Sequence, residues 1–527
     1  MKYVAAWTFF SISLFAADAS RNELRFNLRR EPKTLDPLLA SEAASEAVRY
    51  LTSGVLIRVN RLSQQLEPEL AESWKVSPDA KSITFHLRPG ILFSDGAPFQ
   101  AQDVVATLRR VTDPALHSPA GEPFRSASSK VVDSRTLTVT FPVPVANMER
   151  LFDQLSIVPA RASGKDRASL GPFFISAYQP GVEVFLARNP NYWEKDSAGR
   201  RLPYLDAVRL SIQGNQEIEA SRFRAGEIDL INHVEPEIFD RLAKSMPAAV
   251  HDSGPSTDID FLWFNLVPSA PLTPARKTWF QSRVFRQAVS LAINRDDISR
   301  VVYRGHARPA VGLISPANKF WFNAALKPLA FSPANALKLL ESEGFRKTGS
   351  VLKDRSGNTV EFSLLIGAGS QTRERTAVLI QQDLQAIGIR VNVVTLDVSS
   401  MISRITNTYD YEACLFGLNN IALDPSELMN VLLSSGPLHG WYPNQKTPAT
   451  QWEAEIDGLM LSQASATDKA LRKRQFDRVQ EIVRDQEPYL FLVNRNALSA
   501  ISSAVHNAAP SVLYPETFWN VERLSLK

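Results

Sequence analysis

Residues 66–104 read LEPELAESWKVSPDAKSITFHLRPGILFSDGAPFQAQDV. Apolar residues alternate at Ile83, Phe85 and Leu87, the period of a strand with one buried face. Gly90 and the Asp95-Gly96 pair supply turn geometry after it. From 101 to 111 the apolar residues fall at helical spacing instead (Val104, Val105, Leu108, Val111), and Thr112-Asp113-Pro114 closes the run. Strand and helix are thus mixed, not segregated. The alternation recurs at Leu24, Phe26, Leu28 and at Leu137, Val139, Phe141.

Further along, strands are expected at 182–186, 208–212 and 261–266, with a helix at 217–225 closed by Gly226. Helices follow at 282–293, at 333–343 (stopped by Gly344) and at 372–387 (stopped by Gly388), interleaved with strands at 360–366 and 390–396. A last amphipathic helix covers 468–485, and a strand at 489–493 follows Pro488. Strand–helix–strand order with a helical crossover predicts an α/β unit on a partly parallel sheet.

The bulk properties narrow the class. A chain of 527 residues, 44% hydrophobic and 22% charged, has a globular composition and is long enough for two or three compact units. Lysine and arginine total 59 against 55 aspartate and glutamate. With no basic block to form a phosphate-binding stripe, nucleic acid is not an expected partner. Lys2, an apolar run from Tyr3 to Ala17, and the small residues of Ala17-Asp18-Ala19 read as a cleavable export signal over 1–19. The only cysteine, Cys414, allows no internal disulfide and no lipid at the mature N-terminus, so a soluble periplasmic protein is expected. Beyond the signal no apolar run is long enough to cross a bilayer.

The seven histidines (His86, His117, His233, His251, His306, His439, His506) are scattered. There is no H-E-x-x-H, no G-x-S-x-G elbow and no G-x-x-x-x-G-K-[ST] loop. Neither catalysis nor a cofactor is expected, and no metal site.

The 66–104 stretch resembles the signature of the family 5 extracellular solute-binding proteins of bacterial ABC importers, the group holding oligopeptide-, dipeptide- and nickel-binding proteins. It has L-A-x-S-W as L-A-E-S-W, a strand ending L-R-x-G, then F-x-D-G-x-P-F and A-x-D-V. Further blocks follow in the family's order: EPKTLDP (31–37), GPFFISAYQPG (171–181), RNPNYW (188–193), AGEIDL (225–230), FLWFN (261–265), VFRQAVSLAINRDDI (284–298) and FSPANALKLLESEGF (331–345). The resemblance implies a type II-like, two-lobed periplasmic binding protein fold with a hinge of two connecting strands. Lobe I is expected over 20–262 with an extra subdomain at about 45–170, lobe II over 263–488, and a return to lobe I at 489–527. Crossings are placed near 261–265 and 489–494. Most signature residues have a plainer role: Trp74 and Trp193 as core aromatics, Arg286 and Asp296 as helix caps or bridges.

The resemblance also implies function: capture of a peptide or peptide-like solute between the lobes, and delivery by a monomer to the membrane permease subunits of an importer. The alternatives are a periplasmic nutrient sensor or peptide chaperone, and a binder of a glycoside or nickel chelate. The expected lining is Gly367, Ala368 and Ser370, then Leu418, Asn419 and Asn420, then Trp441 with Tyr442. Trp441 would offer a stacking face, and His439 a metal ligand in a nickel reading. Ile421 stands where dipeptide binders have their amine-anchoring Asp, and Gly367 where they have their carboxylate-anchoring Arg; Asp424 caps a turn, and Arg373 and Arg375 lie on a helix. The expected ligand therefore keeps its termini outside or lacks them.

Overall fold

The structure, a computed structural model, describes residues 22–161, 168–421 and 423–526; the export signal expected over 1–19 lies outside them. Three sheets organise these residues. The first has four strands in the order Glu23–Leu28, Ala207–Ile212, Glu183–Arg188, Phe173–Gln179. Its opening pair is parallel, with Phe26 opposite Leu210, and the others are antiparallel. Leu24, Phe26 and Leu28 all point into one core with the helix Ala43–Thr52 and with Phe518, as the alternation predicts.

The second sheet is the one read from 66–104. It is antiparallel, in the order Ala71–Val76, Ser82–Leu87, Thr136–Thr140, Ser128–Asp133. Ile83, Phe85 and Leu87 sit under the helix Ala101–Thr112, whose Val104, Val105, Leu108 and Val111 share their core. The helix starts on a capping box between Gln100 and Asp103.

The third sheet has seven strands. Its main order is Leu230–Ile231, Tyr489–Ile501, Val250–Phe264, Ala413–Leu418, Glu361–Gly367, Arg390–Leu396, with Ala307–Pro309 also on Tyr489–Ile501. The last two strands of the order are parallel and joined through the helix Gln371–Ala386, the crossover expected from sequence. Buried residues cover both faces of this sheet.

Two of its strands are far longer than the sequence pattern implies. Val250–Phe264 and Tyr489–Ile501 run antiparallel, and their packing partners change along their length. Val250, Leu498 and Ala500 pack with Ile228, Phe239 and Leu242, whereas Ile259, Phe261 and Phe491 pack with Trp441 and Phe476. The register slips between Asp252 and Pro255 and again between Pro255 and Ile259. Gly254 takes φ +89°, in the left-handed region open to glycine.

The chain after Ala413–Leu418 is fastened by a buried ion pair. Arg472 lies 2.6 Å from Asp424, with side chains only 2% and 3% exposed. Asp424 also accepts from the Ser426 N–H at 3.0 Å, and Arg472 donates to the Gln463 carbonyl at 2.9 Å. Removing one partner of such a pair strands the other charge in the interior. Arg472→Ala is expected to lose roughly 3–5 kcal/mol in urea unfolding. Arg125→Ala, which breaks the exposed Arg125–Glu122 pair, should cost under about 1 kcal/mol. Equal losses would contradict the assignment.

Candidate functional site

The loop after Ala413–Leu418 is held between the two halves by charge. Asp258 accepts from the Asn420 backbone N–H at 2.8 Å. The Arg495 guanidinium lies 3.4 Å from Asp258 and 3.8 Å from Asp260, and it donates to the Asn419 side-chain oxygen. Asn420 sits at φ 52°, a left-handed conformation that asparagine tolerates better than most residues.

Two adjoining chambers, of about 530 and 400 Å³, occupy the space beside this loop. Glu42, Ala43, Asn419, Asn420 and Tyr514 wall both. Tyr50, Arg61, Asp153 and Ile421 are among the further residues of the larger; Phe26, Arg29, His233 and Glu516 are among those of the smaller. The walls thus come from the first sheet, its helix, residues 59–61 and 150–154 and the C-terminal segment on one side, and from the loop of the seven-stranded sheet on the other. A third depression, about 340 Å³ around Arg88, Trp193 and Arg201, has walls from one side only.

Most charges in the chambers are already matched. Glu42 caps the helix Ala43–Thr52, accepting from the Ala44 and Ser45 N–H groups at 2.8 Å. Arg49 pairs with Glu46 at 2.6 Å, and Arg29 lies 3.4 Å from Glu219. Enclosure, and then the Arg29 guanidinium, push His233 down to about 4, so its ring is neutral at pH 7. Glu516 is 8% exposed and accepts from the Asn232 amide. Burial, with no cation in ion-pair contact among the described residues, pushes its carboxyl up to about 8.

Of the residues expected from sequence, Asn419 and Asn420 line both chambers. Leu418 is half-buried, paired with Ile259 and packed on the core beneath. Gly367 is buried; a Cβ there would lie 3.4 Å from Val398 and 3.5 Å from Met401. Ala368 is exposed, and Ser370 caps the helix Gln371–Ala386. None of these four lines either chamber. Trp441 is wholly buried, not a stacking face. Its ring lies 3.8 Å from His439 and 4.9 Å from Tyr489, and its Nε1 donates to Glu453 at 3.1 Å. An indole with its N–H satisfied and its ring packed among His439, Trp452 and Tyr489 gains more from packing than from solvent. Tyr442 is half-buried against the same core. Burial pushes His439 down to about 4, and among the described residues no group of three or more metal-ligating side chains forms. Ile421 does face the larger chamber. Asp424 is consumed by Arg472.

Sequence reasoning did not find Glu42, Arg61, Tyr514 and Glu516. They come from opposite ends of the chain, with no shared period or spacing. The nearest signal was EPKTLDP at 31–37, which leads into the helix that Glu42 caps.

Chambers walled from both halves of a molecule joined by two long strands define a two-lobed solute-binding protein. The chain belongs to the bacterial extracellular solute-binding proteins of family 5, whose model matches residues 65–439. It is 27% identical over 510 residues to a probable ABC transporter-binding protein of Deinococcus radiodurans, covering 87% of this chain and 84% of that protein. Glutathione-binding protein GsiB of Shigella flexneri is 23% identical, over 94% of this chain and 92% of its own. The fold is similar to that of NikA from Brucella suis in complex with Fe(III)-EDTA, with a TM-score of 0.83, 22% identity, and coverage of 96% of this chain and 100% of that one.

The raised Glu516 carboxyl has a measurable signature. Its folded value of about 8 exceeds the ordinary 4.5, so folding favours the protonated form. That contribution is complete below about 4.5 and is lost as pH rises through about 8, at up to roughly 1.4 kcal/mol per pH unit. Glu516→Gln keeps the acceptor for Asn232 without the charge. The variant should match wild type in thermal unfolding at pH 4.5 and surpass it at pH 8; a constant gap across this range would contradict the assignment.

Proposed function

We propose that this chain is an exported receptor that encloses a peptide or peptide-like solute between its lobes and presents the closed form to the permease of an ABC importer. The observation that carries the reading is the pair of chambers walled from both lobes. A solute there touches both sides at once, so its binding energy favours the closed arrangement over an open one. Contacts at the margin of the cleft support closure as a motion. The Ala146 N–H donates to the Ala464 carbonyl at 2.9 Å, Asn147 donates to Asp424, and the Gln64 amide donates to the Ala317 carbonyl at 2.6 Å. With exposed ion pairs such as Arg375–Glu237, 3.3 Å apart, these are contacts that water can replace.

The hinge is assigned to 252–259 and 494–498, where packing partners change and the register slips. Lobe I then comprises the first two sheets with the C-terminal segment, and lobe II the bulk of the third. A peptide-like solute fits the chamber chemistry: side-chain amides, hydroxyls and charged groups beside Ile421 and Tyr514 suit a ligand of alternating amide and side-chain groups. The relatives named for ABC transport and for glutathione binding agree with this class. A soluble periplasmic monomer, released by cleavage near Ala19, is the form in which such a receptor would act.

Mass spectrometry of solute released from natively purified protein tests the reading. A peptide or amide-bonded molecule is expected. Re-added at about 100 times Kd, it should raise unfolding free energy by about 2.7 kcal/mol. A released solute without amide bonds would contradict the peptide assignment.

A further inference from the structure

Arg61 differs from Arg49 and Arg150, the other arginines that line the larger chamber. It is 8% exposed and lines the larger chamber. The nearest carboxylate oxygen, Oδ2 of Asp153, is 3.8 Å from its Nη1, beyond hydrogen-bond reach. Asp153 is already engaged, accepting from the Val59 N–H at 2.7 Å and from Gln154 at 3.1 Å. Among the described residues no acceptor meets the Arg61 guanidinium, and its Nε is buried without a partner. The neighbouring cations differ. Arg49 donates to Glu46, Gln154 and Ser156, and Arg150 to the Gln64 carbonyl.

Arg61 is also held in place. Its carbonyl accepts from the Ser511 hydroxyl at 2.8 Å, and its guanidinium lies over the Tyr50 ring, 5.8 Å from the centroid. The Tyr50 hydroxyl is itself fixed on the Trp519 carbonyl at 2.9 Å. A guanidinium held this way, with its donors unspent, is set to receive a planar oxyanion through two parallel N–H···O bonds. The chamber's other carboxylates do not take those donors: Glu42 caps a helix, Glu46 belongs to Arg49, and Glu427 has no side-chain hydrogen bond among the described residues. Asn419 and Asn420 approach from the opposite lobe with side-chain amide N–H groups that meet no acceptor among the described residues. An oxyanion on Arg61 is therefore placed to draw on donors from both lobes.

We infer that Arg61 is the anion anchor of the cleft, and that the captured solute carries a carboxylate or similar planar oxyanion that the Arg61 fork binds. The inference rests on the reading of the cleft as the solute site. It revises the sequence expectation in one respect: an acidic group of the ligand does enter, at a position unrelated to Gly367.

Calorimetric titration with tetra-alanine and tetra-alanine amide, on wild type, Arg61→Gln and Arg61→Lys, decides the matter. One charge-assisted fork should make wild type prefer the free acid by about 10- to 100-fold. Arg61→Gln should lose that preference while binding the amide as wild type does, which shows that the variant is folded although buried Asp153 has lost its ion pair. Arg61→Lys, with a point charge and no fork, should fall between them. Equal binding of acid and amide by wild type, or a preference that survives in Arg61→Gln, would overturn the inference. If neither peptide binds wild type, the peptide reading is what fails. The anchor is then judged by the solute released from native protein: one without an ionised acid group, or one retained equally by Arg61→Gln, overturns it too.

Discussion

The antiparallel pair Val250–Phe264 and Tyr489–Ile501 is the constraint on which the molecule depends. Both strands start in one hydrophobic core and end in another, so the lobes share a hydrogen-bonded ladder but no common interior. Along 252–259 the ladder loses its register, and Gly254-Pro255 interrupts the side-chain alternation. A strand pair with continuous register would transmit bending stiffly from lobe to lobe; slips and an unpaired stretch concentrate it at one place. The cleft lies beside that place, so a small rotation about the proposed hinge would change the distance between its walls.

Charge decides what the cleft does with that freedom. The cluster of Asp258, Asp260 and Arg495 is balanced in charge mainly through Arg495 and Asp258, 3.4 Å apart, and fixes the 419–420 loop. A matched cluster positions a wall and leaves little affinity to spare for a ligand. On the proposed reading, recognition falls instead to groups whose hydrogen-bond donors the fold leaves unspent, as at Arg61. Such groups are costly in the free protein, and a ligand that relieves them binds with selectivity for its own charge pattern.

Much of the architecture was legible in the sequence because most elements announce themselves locally. The helices Ala101–Thr112, Pro333–Ser342 and Gln371–Ala386, and the strands Glu361–Gly367 and Arg390–Leu396, fall within a residue or two of the periodicity and its glycine stops. The two long strands were read short because Asp252-Ser253-Gly254-Pro255 and Asn494-Arg495-Asn496 are turn-like in composition. Tertiary pairing across the hinge overrides that local preference. The site was harder. Asn419 and Asn420 could be placed because they follow a clear strand. Trp441 could not: a tryptophan between Gly440 and Tyr442 looks like a loop platform until the helix Gln451–Ser465 supplies Glu453 for its N–H. Arg61 and Tyr514 meet only after the chain has closed on itself, and no local pattern encodes that meeting.

In the proposed mechanism the lobes move as bodies about the 252–259 and 494–498 segments when solute enters. Val143 and Leu461, 59% and 57% exposed, lie near the margin contact between Ala146 and Ala464 on opposite sides of the cleft. Spin labels on Val143→Cys and Leu461→Cys, with buried Cys414 replaced by serine, report the span by double electron–electron resonance. A long, broad distance distribution without solute that collapses to a single shorter one on adding the natively released solute is the predicted result. An identical distribution in both samples, with solute binding verified, would contradict it.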